Sequence, residues 1–246
     1  MPDRLAAVGA RWDGSPAAGD WVAARLGPFG PSVGHAVPHG YAAYAVVPVP
    51  RPDDDAGGDP RSGRCCAATT PLSVLLDVLS VLARWTGNQD VHCALWEGWG
   101  FLHDPDEDPL AGSMAVFGWA SDGTPFNTET PTSTPLAASA RAEALTELRS
   151  RRVPRPAAPP LELPGRRYHL WTGPWRSAGA LAHEHASPPS LVWPDDRAWF
   201  VGAPVYTEEI AVGGSAEIVR ALLADPALRA LGARAATVDD VLRIDD

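Results

Sequence analysis

In LWEGWG, residues 95–100, one carboxylate, Glu97, stands between Trp96 and Trp99. A carboxylate in apolar surroundings holds its proton to higher pH than in water and can act as general acid or base. It needs a partner to be catalytic, and His92, His169 and Arg197 are the side chains that would have to reach it. The plainer expectation is an outward-facing glutamate on a half-exposed strand. Arg197 belongs to a second such run, SLVWPDDRAWFVG (190–202), which sets Asp195, Asp196 and Arg197 between Trp193 and Trp199. Pro194 suits the second position of a type I turn and the aspartates tolerate the next ones, which predicts a hairpin. Arg197 then pairs with Asp195 or Asp196, or stacks on Trp193 as a cation–π contact. The alternative is a ligand-facing arginine beside an aromatic wall. An arginine–carboxylate pair alone performs no reaction, so the only acid–base set in view is Glu97 with Arg197.

Other runs carry weaker chemical signals. His183 and His185 in HEH, with His169, His35 and His39 elsewhere, are the best metal candidates. Residues two apart on a helix diverge by about 200°, so this pair converges only where a helix ends, and no metal site is expected. Asp104, Asp106 and Asp108 imitate a calcium loop, but Pro109 stands where glycine is required and Ala115 where glutamate is. VGGS (212–215) places two glycines before a helix start, without the fuller phosphate-binding patterns. Cys65, Cys66 and Cys93 are odd in number with two adjacent, which suits a reducing compartment better than a disulfide framework.

The region from Ser187 to Ser215 resembles the C-terminal part of a set of uncharacterised bacterial proteins with the pattern S-P-x-L-x-W-P-x-D-R-A-W-x-V followed by V-G-G-S. Here that is Ser187-Pro188, then Leu191 after two intervening residues where the pattern has one, Trp193-Pro194, Asp196-Arg197-Ala198-Trp199, Val201 and Val212-Gly213-Gly214-Ser215. VPHGYAAYAVV (37–47) and ALWEGWG (94–100) are similar to the same proteins. The resemblance implies a shared architecture and carries no activity.

Several elements must position these residues. Ser15, Pro16 and Gly27 bracket one helix, and Thr70, Pro71 and Gly87 bracket a second with Leu72, Leu75, Leu76, Leu79, Leu82 and Ala83 on one face. A third runs from Thr134 to before Pro154, and a fourth from Ser215, restarted by Asp225-Pro226 and closed by Gly232. Thr237 and Asp240 form a weak capping-box match. Strands are predicted at 41–49, 90–100, 113–120, 166–173, 198–205 and 208–214 from aromatic and β-branched residues with glycine stops. Interleaved helices and strands predict an α+β fold, a mixed α/β sandwich in which two strand-helix-strand units share one sheet. The chain reads as a single globular domain, 1–246; the alternative is two lobes, 1–152 and 165–246, joined by the proline-rich connector 153–164. Residues 51–64 and 103–112 read as surface loops.

Hydrophobic residues make up 45% and charged residues 20% of 246, the balance of a soluble globular protein. A net charge of −10 repels a phosphate backbone, which argues against nucleic acid. All twenty basic residues are arginine, which excludes Schiff-base lysine chemistry and a P-loop lysine. The opening MPDRLAAVGARWDG lacks the apolar core of a signal peptide and no run approaches a membrane span, so the expected compartment is the cytoplasm. Ten tryptophans without a coherent catalytic set favour a cofactor-free binding or interaction module for a protein or small-molecule ligand. Its candidate contacts are Trp96, Trp99, Trp193, Asp196, Arg197 and Trp199. The rival is a cofactor-free acid–base enzyme using Glu97 and Arg197.

Overall fold

The computed structural model describes residues 4–50, 70–99, 101–103, 117–119, 125–127, 153–181 and 189–244. The helix expected from Thr134, the Cys65-Cys66 pair, His183, His185 and the Asp104–Asp108 run lie outside them, as do nearly all of the two surface loops. In chain order the strands are β1 (Arg11–Trp12), β2 (Ala43–Pro48), β3 (Val91–Trp96), β4 (Leu102–His103), β5 (Phe117–Trp119), β6 (Pro125–Asn127), β7 (Val153–Pro154), β8 (Leu161–Leu163), β9 (Arg166–Gly173), β10 (Leu191–Pro194), β11 (Trp199–Gly202), β12 (Glu209–Gly214) and β13 (Arg234–Ala236). The helices are α1 (Asp20–Ala23), α2 (Val33–Ala36), α3 (Pro71–Thr86), α4 (Ala216–Ala224) and α5 (Pro226–Ala230). The architecture is α+β.

The chain divides into two compact units, Met1–Glu97 with Ala158–Asp246, and Gly98–Ala157. The first holds a nine-stranded sheet in the order β1-β9-β3-β10-β11-β12-β2-β13, with β8 also on β9. Its pairings are all antiparallel, and strands from both sides of the proline-rich 153–164 segment share it. In the second, β4 runs parallel to β7, β5 pairs antiparallel with β6, and Trp99 stacks on Phe101.

Both faces of the main sheet are covered, so alternate side chains of one strand enter different cores. Tyr44, Val46, Ala94, Leu170, Leu191, Trp193, Phe200 and Ala211 pack with Val22, Val33, Ala36, Val37, Leu161 and Leu242. On the opposite side, the Trp199 indole donates to Thr86 Oγ1 at the end of α3. α3 itself begins where expected: Thr70 and Ser73 exchange side-chain-to-backbone bonds as a capping box, with Pro71 next. Gly202 is required by a close approach, because a Cβ there would run into the carbonyl oxygen of Ala36.

Two expectations are corrected. The segment 15–27 forms a single 3-10 turn, Pro16–Gly19, and then only the four-residue α1. Its start is as expected, with the Ser15 side chain accepting the Ala17 N–H and Pro16 next; Gly19, a poor helix former, stands at the junction between the turn and α1, buried against Leu161 of β8. Thr237 and Asp240 do bond as a cap would, but no helix follows among the described residues; the chain instead bridges back at Val241 and Ile244.

Candidate functional site

The β10–β11 hairpin closes over residues 195–198. The Arg197 N–H donates to the carbonyl of Pro194 at 2.9 Å, so Pro194 is the first turn position and not the second. Asp195 and Asp196 occupy the central positions. Arg197 then takes φ 58°, the one non-glycine residue with positive φ among the described residues. A type I turn followed by a left-handed residue is a standard hairpin closure, and glycine is its usual last residue.

The turn is gripped from both sides. On one side Gln89 brackets Asp196, its Nε2 donating to Oδ2 at 2.9 Å and its Oε1 accepting the Asp196 N–H at 3.0 Å. Asp196 Oδ1 also accepts the Ala198 N–H. Beside it, His92 Nε2 lies 2.8 Å from Asp195 Oδ1, and His92 Nδ1 lies 2.9 Å from Thr172 Oγ1. The Thr172 hydroxyl donates to Asp13 Oδ1 at 2.7 Å, so its oxygen accepts from a protonated Nδ1. The ring also stacks on Trp193. Burial draws the His92 pKa down, but the bonds and charges of Asp13 and Asp195 more than reverse this, and it stands above its ordinary value. Both ring nitrogens are thus engaged, and neither is placed as a general base.

On the other side the Tyr41 hydroxyl donates to the Arg197 carbonyl at 3.1 Å. Burial pushes the Tyr41 pKa up, so the phenol stays a donor. Here the turn borders a cleft of about 380 Å³ lined by Trp21, Arg25, Tyr41, Asp196, Arg197 and Ser215 among others. The guanidinium carbons of Arg197 and Arg25 lie 4.8 and 5.8 Å from the Trp21 ring centroid. Trp21 rests edge-on against Trp193 and Phe200 beneath it. Left-handed backbone costs a non-glycine residue roughly 1–2 kcal/mol, whereas an exposed cation–π contact contributes about 0.5–1 kcal/mol. Stacking on Trp21 alone therefore does not account for arginine at this position.

The residues singled out from sequence divide accordingly. Asp196 and Arg197 line the cleft together. Arg197 pairs with neither aspartate and stacks on Trp21 instead of Trp193, because Asp195 and Asp196 are turned toward His92 and Gln89. Trp193 and Trp199 are fully buried core residues on opposite sheet faces. Trp96 lies under the Arg166 guanidinium, which Phe29 and Tyr206 also flank. Trp99 belongs to the second unit. Glu97 follows β3 and pairs with Arg167, Oε1 to Nε at 2.6 Å. Val91 at the start of β3 sits opposite Pro194, so the hairpin turn and Glu97 are at opposite ends of that strand, about 20 Å apart at the usual strand rise. His92 is near the other end of β3, engaged by Asp195 and Thr172, and His169, opposite Leu95, packs edge-on against Trp12.

Trp21, Arg25, Tyr41, Gln89, Asp13 and Thr172 were not among the sequence candidates. Trp21 and Arg25, four residues apart on one predicted helix face, were the only pair with a local signal. No family model, curated protein or solved structure matches this chain.

Proposed function

We propose that this protein is a non-catalytic binding module whose small-molecule ligand occupies the cleft beside the β10–β11 turn. The observation that supports this reading is Arg197, kept at φ 58° with its side chain spread over Trp21 at the mouth of an open cleft. Backbone strain of this kind persists where a side chain is needed in one place. The acid–base alternative loses its motive: Glu97 is engaged by Arg167 at the other end of β3 from the turn, and His92, which holds the turn, has both nitrogens occupied.

Three further readings belong to the same proposal. Residence in the cytoplasm rests on the buried free thiol of Cys93. No helix among the described residues is long and apolar enough to cross a membrane. Kinship with the uncharacterised bacterial proteins rests on the tryptophan–proline–arginine pattern alone. A sandwich of two strand-helix-strand units is supported only in that both halves of the chain contribute strands to one sheet.

A thermal-shift screen of small metabolites tests the function. Ala42 is exposed and lines the cleft, so Ala42→Trp should plug it without disturbing the core. Compounds that raise the wild-type Tm should leave Ala42→Trp unmoved, and none should be consumed when followed by NMR. Equal stabilisation of both proteins, or turnover of a hit, would overturn the reading.

A further inference from the structure

Resting on that cleft, we infer that its ligand carries a doubly charged oxyanion, a phosphate monoester or a pair of carboxylates, gripped between Arg25 and Arg197. Both guanidiniums lie against the Trp21 ring and both residues line the cleft, so two positive charges border one small space. Neither has an ion-pair partner among the described residues, in a chain whose net charge is −10. Asp196 is the single acidic residue of the lining, and both its oxygens already accept hydrogen bonds from Gln89 and Ala198. Two arginines against one aspartate leave the cleft lining with a net positive charge.

Stacking directs what these cations can do. A guanidinium that spends its face on an indole still presents its N–H groups around its edge, in the planar fork that matches two oxygens of a carboxylate or phosphate. Two such forks bordering one cleft suit an anion with two charges and at least three acceptor oxygens. A volume of about 380 Å³ is at the lower end for small-molecule sites, roughly 300–1,000 Å³, so the group bearing the anion is small. The grip on the turn by Gln89, His92 and Tyr41 holds the Arg197 backbone before any ligand arrives, which lowers the ordering cost of binding.

Calorimetric titration of the full chain with phenyl phosphate, phthalate and neutral benzyl alcohol tests the inference. Phenyl phosphate or phthalate should bind, weaken as salt is raised, and lose about tenfold or more in affinity in Arg197→Gly and in Arg25→Ala. Whichever of the two binds tighter identifies the source of the anion. Arg197→Gly is the informative variant, because glycine accepts φ 58° without strain, so its Tm should hold while affinity falls. Arg229→Ala, on α5 and outside the cleft lining, should bind as the wild type does. If neither anion binds at millimolar concentration, or the arginine variants bind undiminished, the inference is overturned while a neutral ligand in the cleft stays open to the screen above. If the anions bind Ala42→Trp as tightly as wild type, the cleft itself is the wrong place and both readings fall.

Discussion

His92 joins two segments distant in sequence, Asp13 ahead of α1 and Asp195 in the hairpin turn, and does so best as an imidazolium. Its hydrogen-bond partners are a carboxylate at Nε2 and a hydroxyl, already donating to Asp13, at Nδ1. The folded-state pKa is raised above 6.5, so the stabilisation is complete below pH 6.5 and is lost as pH rises through the folded value. Wild-type stability in urea should therefore fall on going from about pH 6.5 into the mildly alkaline range. His92→Gln should show a flatter profile there. His35, buried with its pKa lowered, has the opposite sign and costs stability below pH 6.5, so the comparison of wild type with His92→Gln isolates the His92 term. An identical slope in the two proteins would mean the imidazolium contributes nothing to holding the turn.

At the scale of elements, the site depends on how closely β11 can approach α2. Gly202 carries no side chain, and the carbonyl of Ala36 fills the space a Cβ would need. Gly202→Ala should then destabilise by about 1–3 kcal/mol, the usual range for overpacking, read as a lower urea midpoint. Because β11 leads directly out of the turn, the same variant should also broaden the amide signals of residues 195–198. A second device of this scale is Glu209, a buried carboxylate at the start of β12. It accepts from Arg234 of β13 and from the Arg243 backbone, tying the last strand and the C-terminal segment to β2 and β12. A buried carboxylate is tolerated only with such complete pairing.

For the whole molecule, the sheet order interlaces the two ends of the chain. β3 is flanked by β9 and β10, and β2 by β12 and β13, so the central strands of the first half pair with strands of the second. Residues 1–152 or 165–246 alone would expose unpaired strand edges and one side of each core. Neither fragment should unfold cooperatively by itself, measured by circular dichroism in urea. Mixing the two should restore a cooperative transition. A native-like transition in either isolated fragment would overturn this interdependence.

Local signals were enough for most elements. The Thr70–Ser73 cap with Pro71, the Asp225–Pro226 restart, strand β9 and the hairpin at 190–202 follow from residues within a few positions of one another, where capping, φ restriction and alternation act. Candidate contacts Asp196 and Arg197 were legible for the same reason, since the turn that presents them is local. Local pattern also marked the tryptophans as noteworthy but could not assign them, because whether Trp193 or Trp199 meets ligand or core depends on what covers each sheet face. The partners of Arg197 and His92 come from Trp21, Tyr41, Asp13 and Thr172, up to 176 residues away along the chain. Nothing in a single stretch encodes that meeting. It is decided when β1, β9 and β3 come into register, which side chains far apart in sequence reach only through the packing of the completed sheet.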